Sequence, residues 1–257
     1  MKKIKIILRK WLKARVKGLT QKALNKHDIE IIAIVGQYGT QIAREALYSI
    51  LEDRYNVRRN VRPIWWDMSI PLTILGYEDK QYSIVGWVEI LLKSIIAYIK
   101  NPSYKHKIII EMDTQSEDIA DYWGEFVHPQ VLLLLNAGKQ ELNLLSRIIG
   151  ESVTTIVYNY DDLASIDYVS NVSSKKQLKF GMKDGDIVYS YFDDTLVLKQ
   201  KGSEYMTRIS LPEFEITPLV GAITTSTIYE NDTQEIMADL SKFELHPHIL
   251  DKIYHSI

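Results

Sequence analysis

The chain has 257 residues, a formal net charge of −2 and no cysteine. That length suits one large domain or two small ones, and 46% apolar with 25% charged residues is ordinary globular usage, so global disorder, collagen and coiled coil are excluded. Without cysteine there is no disulfide framework, zinc-thiolate site, iron–sulfur cluster or cysteine nucleophile. The charge is unevenly spread. Residues 1–26 hold ten Lys or Arg and no Asp or Glu, which leaves 21 basic against 33 acidic residues in the remainder. A basic arm on an acidic body argues against nucleic-acid binding by the body and leaves the arm as the part that seeks anions.

In chain order, residues 1–26 come first. Arg9, Lys10 and Lys13 break the apolar run too early for a secretory signal, which needs about 7–15 uninterrupted apolar residues. Ile4, Ile7, Leu8, Trp11, Leu12, Val16, Leu19 and Ala23 instead fall on one helical stripe opposite a Lys/Arg face. Three roles fit such a helix: docking on the body by its stripe, lying on an anionic membrane surface, or binding RNA or a protein partner. Residues 29–35 (IEIIAIV) read as a strand buried on both faces. A glycine turn at 36–39 and a helix through Ile42, Ala46, Leu47, Ile50 and Leu51 follow. Residues 85–99 read as a buried amphipathic helix; they are too short and too charged for a membrane span, which needs about 20 apolar residues. Strands follow at 107–112, 131–136 and 154–158, with a helix through Leu142, Leu145 and Ile148 after the second. The acidic run at 111–121 reads as a solvated edge. From about residue 167 short alternating segments at 187–191, 195–199 and 205–210 predict an antiparallel subsheet. Helices near 219–229 and 233–240 come last.

Alternating strands and helices predict an α/β, doubly wound, mostly parallel sheet, here with an antiparallel β subsheet and an N-terminal amphipathic helix. Ligands of such sheets sit beyond the carboxyl ends of the strands. The segments to inspect are therefore 36–41, 111–114, 136–141 and 159–162.

These segments carry a family resemblance. Gly36-Gln37-Tyr38-Gly39-Thr40-Gln41 resembles the G-S-x-G-K-T phosphate loop of the Mur ligases, ATP-dependent enzymes that add amino acids to peptidoglycan precursors. Pro71-Leu72-Thr73-Ile74-Leu75, Glu111-Met112, Asp118-Ile119-Ala120, Pro129-Gln130-Val131, Asn136-Ala137-Gly138, Asn159-Tyr160-Asp161-Asp162, Phe180-Gly181 and Gly221-Ala222-Ile223 resemble later family segments, in the same order. The resemblance covers about residues 30–245, the family's central ATPase domain of P-loop type. The Pro71–Leu75 stretch is similar to the branch that adds D-alanyl-D-alanine. It implies residues 27–257 as one central-like domain behind the arm, without the family's N-terminal substrate and C-terminal ligase domains.

The resemblance also implies a site, and the residues there depart from it. Gly36, Gln37, Tyr38, Gly39, Thr40, Gln41, Asn159 and Asp161 stand at nucleotide-binding positions, and Glu111 and Glu141 at metal-ligand positions. Thr40 replaces the phosphate Lys and Gln41 the metal-binding hydroxyl, both of which phosphoryl transfer uses to neutralise charge. Arg44, one helical turn on, is no evident substitute. Trp65-Trp66-Asp67-Met68-Ser69 replaces NN-x-IG, and Glu213-Phe214-Glu215-Ile216 replaces the G-x-HN near adenine. His246-Pro247-His248 reads as a surface turn, Trp65-Trp66 as core or as an interaction patch, and Asp161-Asp162 as a helix N-cap.

The combined expectation is a non-catalytic Mur ligase-like protein with no catalytic residue. It would act as a binding or regulatory partner of an active ligase paralogue or another cell-wall enzyme. It would be cytoplasmic, with peripheral contact at the inner membrane face through residues 1–26. The alternative is an ATP-dependent amide ligase, or a nucleotide-binding protein, with an atypical loop. No cofactor is expected on the first reading; ATP and Mg²⁺ are expected on the second.

Overall fold

The structure is a computed structural model. It describes residues 2–27, 29–60, 67–77, 83–100, 107–112, 117–136, 138, 142–143, 145–147, 151–172, 175–229 and 232–240. Four runs of aliphatic residues build the centre of the sheet: β1 (Glu30–Val35), β3 (Lys107–Glu111), β4 (Val131–Leu134) and β5 (Thr155–Asn159). Successive side chains of a strand point to opposite faces. Ile31, Ala33 and Val35 of β1 therefore enter one core, and Ile32 and Ile34 enter the other. That double burial is why these strands read as continuous apolar runs.

The sheet order is β2 (Val57–Arg59), β3, β1, β4, β5, β6 (Lys176–Gly181), β7 (Ile187–Phe192), β8 (Thr195–Gln200), β9 (Ser203–Arg208). β2 and β6 extend the parallel part on either side. β7 meets the end of β6 over two residue pairs, and β8 and β9 continue antiparallel. The expected mixed α/β sheet with an antiparallel subset is present.

The helices divide between the faces. α2 (Thr40–Glu52), α7 (Glu213–Ser226) and α8 (Thr233–Leu240) bury Leu47, Leu219, Ile223 and Ile236 in one core. The other core takes α1 (Lys2–Lys26), α3 (Ser69–Leu75), α4 (Ile84–Lys100), α5 (Glu117–Gly124) and α6 (Leu163–Ser170), through Val16, Ile70, Ile90, Trp123 and Val169. All seven residues of α3 are buried. α1 packs on α3 and against α4.

The structure corrects several expectations. The sequence does not announce β2, α3, α5 or α6, each being three to eight residues long and too short for a periodic signal. The segment 111–121 is no solvated edge throughout: Glu111 ends β3 buried, and α5 buries Ala120, Tyr122 and Trp123 while exposing Glu117 and Asp118. Residues 176–181 form a parallel strand, so the antiparallel part opens at β7, after Phe180-Gly181. α7 starts six residues before the expected helix and holds Pro218 inside it. Among the described side chains, the stripe of α1 docks in part. Val16 and Ala23 are buried and Leu12 and Leu19 pack on the core, whereas Ile7 and Trp11 are exposed.

Candidate functional site: the carboxyl edge of the parallel sheet

The turn after β1 depends on one glycine. Gly39 has φ 77° and precedes the first residue of α2. A Cβ there would lie 2.2 Å from Cγ of Pro218 in α7, so both conformation and space call for glycine. The turn is fastened to the end of β4. Oδ1 of Asn136 accepts from the backbone N–H groups of Gln37 (2.7 Å) and Tyr38 (3.0 Å), and its Nδ2 donates to the Tyr38 carbonyl (3.1 Å). A phosphate loop works by aiming such N–H groups at a ligand. Here two of them are taken by a side chain. Gln41 is half-buried on α2.

Glu111, at the end of β3, is fully engaged. Its backbone N–H donates to Asn60 Oδ1 (3.0 Å). Thr40 Oγ1 donates to Oε1 (2.6 Å), and Arg44 Nη1 donates to Oε2 (2.5 Å). Arg44 is only 1% exposed. Its Nε and Nη2 also reach Glu45 Oε1, both at 3.1 Å. Glu45 in turn accepts from Arg59, whose guanidinium lies 3.6 Å from the centre of the Tyr48 ring. Glu111, Arg44 and Glu45, all buried, and the half-buried Arg59 thus form a chain of alternating charge with no net charge. The sequence offers Arg44 as no evident substitute for the phosphate Lys because it stands one helical turn beyond Thr40; on α2 that same spacing puts both side chains on one face, aimed at Glu111.

Mg²⁺ is the metal that the resemblance implies, and these residues do not fit it. A hard dication needs free carboxylate lone pairs. Both Glu111 oxygens are occupied, one by a guanidinium that would repel a second cation. No group of three or more metal-ligating side chains occurs among the described residues. Glu141, the other expected ligand, lies outside them, as do Trp65, Trp66, His246 and His248. Asp67, from the segment replacing NN-x-IG, is drawn to the arm instead: its carboxylate pairs with Lys13 at 2.9 Å.

The end of β5 is likewise internally bonded. Asn159 Oδ1 accepts from Asp161 N–H (3.0 Å), and Asp161 Oδ2 accepts from Met182 N–H (2.7 Å). Asp162, not Asp161, caps α6 by accepting from Ser165 N–H. One residue missed in the sequence, Tyr189, is also part of this region. The Tyr189 hydroxyl bonds Thr217 Oγ1 at 2.7 Å. Burial raises its pKa, the Thr217 bond opposes this, and Asp161, Tyr38 and Glu213 add to the rise. Glu215, at the position of the family's His, is fully buried, and neither carboxylate oxygen has a hydrogen-bond partner among the described residues. Burial raises its pKa.

Comparison with known proteins agrees with this architecture. No family model matches the chain. It is 25% identical over 195 residues to the UDP-N-acetylmuramoyl-tripeptide–D-alanyl-D-alanine ligase of Borreliella burgdorferi, covering 71% of this chain and 40% of that enzyme. Its fold matches the MurF ligase of Thermotoga maritima, determined in complex with ADP (TM-score 0.69, 15% identity), over 91% of this chain and 53% of that one. MurF of Acinetobacter baumannii matches equally (TM-score 0.69, 15% identity), over 91% of this chain and 51% of that one. A pseudomurein peptide ligase type C of Methanothermus fervidus matches at a TM-score of 0.62 and 14% identity, over 85% of this chain and 50% of that one. The chain therefore spans about half the length of these relatives or less, and it resembles the Mur ligase family in sequence and in fold.

Proposed function

We propose that this Mur ligase-like chain does not ligate, and serves instead as a binding or regulatory partner in cell-wall precursor metabolism, acting on an active ligase or another enzyme of that metabolism in the cytoplasm. One observation carries the reading: Thr40 and Arg44 close on Glu111. The position of the phosphate Lys holds a hydroxyl that is already donating, and the metal carboxylate holds a guanidinium. Acyl-phosphate chemistry needs positive charge free to move onto the transferring phosphoryl group. Here the positive charge of Arg44 is buried and paired.

A second reading, an ATP-dependent amide ligase or a nucleotide-binding protein without turnover, is favoured by the intact left-handed turn at Gly39 beyond the end of β1. A titration of the chain with ATP and Mg²⁺ by calorimetry, alongside a phosphate-release assay, separates the two. The proposal expects no saturable binding at millimolar ATP and no phosphate. Tight binding with phosphate release overturns it, and tight binding without release moves the chain to nucleotide binding.

A further inference from the structure

Away from the carboxyl edge, the helices that cover α3 carry an apolar face that stays exposed among the described residues. α4 turns Ile90 and Ser94 inward. Val85, Val88, Leu92, Ile95 and Ile96 stand 43–77% exposed. At about 100° per residue these five fall on one stripe roughly 100° wide. α1 packs beside α4, and its outer side exposes Ile7 and Trp11. Isolated exposed aliphatics are ordinary, but a continuous row marks an interaction surface.

The charges on the same helices select the occupant. The inward-facing lysines of α1 are used within the fold: Lys13 pairs with Asp67, and Lys17 with Glu125. The outward side exposes Lys10, Arg15 and Lys22 beside Ile7 and Trp11, with the Arg15 guanidinium 5.5 Å from the Trp11 ring. α1 contains no acidic residue. On α4 the exposed carboxylate of Glu89 is held by Lys93. The surface thus offers aliphatic area, one indole and unopposed positive charge. A second copy docked isologously on it would bring two basic rows together.

We propose that the outer face of α1 and α4 is a docking surface for an anionic lipid bilayer. The α4 stripe and Trp11 enter the interfacial region, and Lys10, Arg15 and Lys22 contact the headgroups. Among the described residues no helix is long and apolar enough to cross a membrane, so the chain rests on the bilayer. Stable peripheral binding takes two signals, and the two helices supply an apolar one and a basic one. Such docking is independent of whether the glycine turn binds nucleotide.

The test is co-sedimentation of the full chain with vesicles of phosphatidylglycerol and phosphatidylcholine, against phosphatidylcholine alone. Truncating the arm would uncover α3, so exposed point variants are used, each checked by thermal melting. The chain is expected to pellet with the anionic vesicles and to be released by high salt. The triple variant K10Q/R15Q/K22Q is expected to partition about a hundredfold more weakly, at about fivefold per charge. V88S/L92S weakens binding while leaving the salt dependence in place. Absence of pelleting on anionic vesicles, or equal pelleting on neutral ones, overturns the proposal. So does sedimentation as a dimer that L92S dissociates, which assigns the face to a second copy.

Discussion

Arg44 carries its charge at 1% exposure, against Glu111 and Glu45. Removing one partner of a buried ion pair strands the other, at a cost of about 3–5 kcal/mol. R44A should lose stability on that scale in urea unfolding, and E111Q less, because Glu45 still pairs with Arg44. The double variant R44A/E111Q should lose less than the sum of the two, since the second change removes a group that has already lost its partner. Because Arg44 occupies Glu111, Mg²⁺ or Mn²⁺ should leave the melting temperature of the parent unchanged; a saturable rise would contradict the geometry. For the same reason the loop change T40K/Q41T alone should not produce metal-dependent ATP binding, whereas adding R44A should. Glu215 gives a pH dependence of opposite sign to that of a paired carboxylate. Its folded pKa is raised by burial above the ordinary 4.5, so the folded state holds the proton more tightly than the unfolded one. Its contribution is therefore fully present below about pH 4.5 and lost as pH rises through the folded value. E215Q should flatten that slope and exceed the parent in stability at about pH 7, as read by urea midpoints across pH.

The elements meet at the glycine turn, where α2, α7 and β4 constrain one another. G39A should destabilise by at least about 1–3 kcal/mol, the usual cost of forcing a side chain into a left-handed backbone, with the Pro218 contact adding to it. P218A should recover only part of the contact cost, because Cβ of residue 218 still lies 3.0 Å from the added methyl. A melting series of G39A, P218A and the pair would check this. The glycines themselves were legible in the sequence, as were the long strands, because a strand buried on both faces must be apolar throughout. The partners of the turn were not legible. Asn136 lies 98 residues from Tyr38, and no local pattern announces that its amide will take the N–H groups of that loop.

Across the whole molecule, the basic arm and the acidic body prove to be joined. Lys13 reaches Asp67 and the Tyr122 ring, and Lys17 reaches Glu125, so part of the charge asymmetry is neutralised at the seam. Exposed pairs of this kind contribute little, about 0–1 kcal/mol each. Apolar burial holds the arm more strongly: Val16, Thr20 and Ala23 are buried on the side that covers α3. Deleting residues 1–26 should therefore lower the melting temperature sharply or cause aggregation. An arm that merely trailed from the body would leave it unchanged, and scanning calorimetry of the two chains decides between them.

By itself the sequence determined the parallel core, the glycine turn, the antiparallel subset and the resemblance to the Mur ligase central domain. All of these follow from local periodicity or from residues adjacent in the chain. Only the tertiary structure decided what the retained carboxylate at Glu111 is bonded to. A carboxylate at the end of a strand is the same letter whether it awaits a metal or is already held by Arg44, 67 residues away. The structure likewise decided that Leu12, Val16, Leu19 and Ala23 of the α1 stripe join the core while Ile7 and Trp11 face outward. Periodicity reports that a helix has an apolar side, and only the neighbouring elements determine how much of that side they cover.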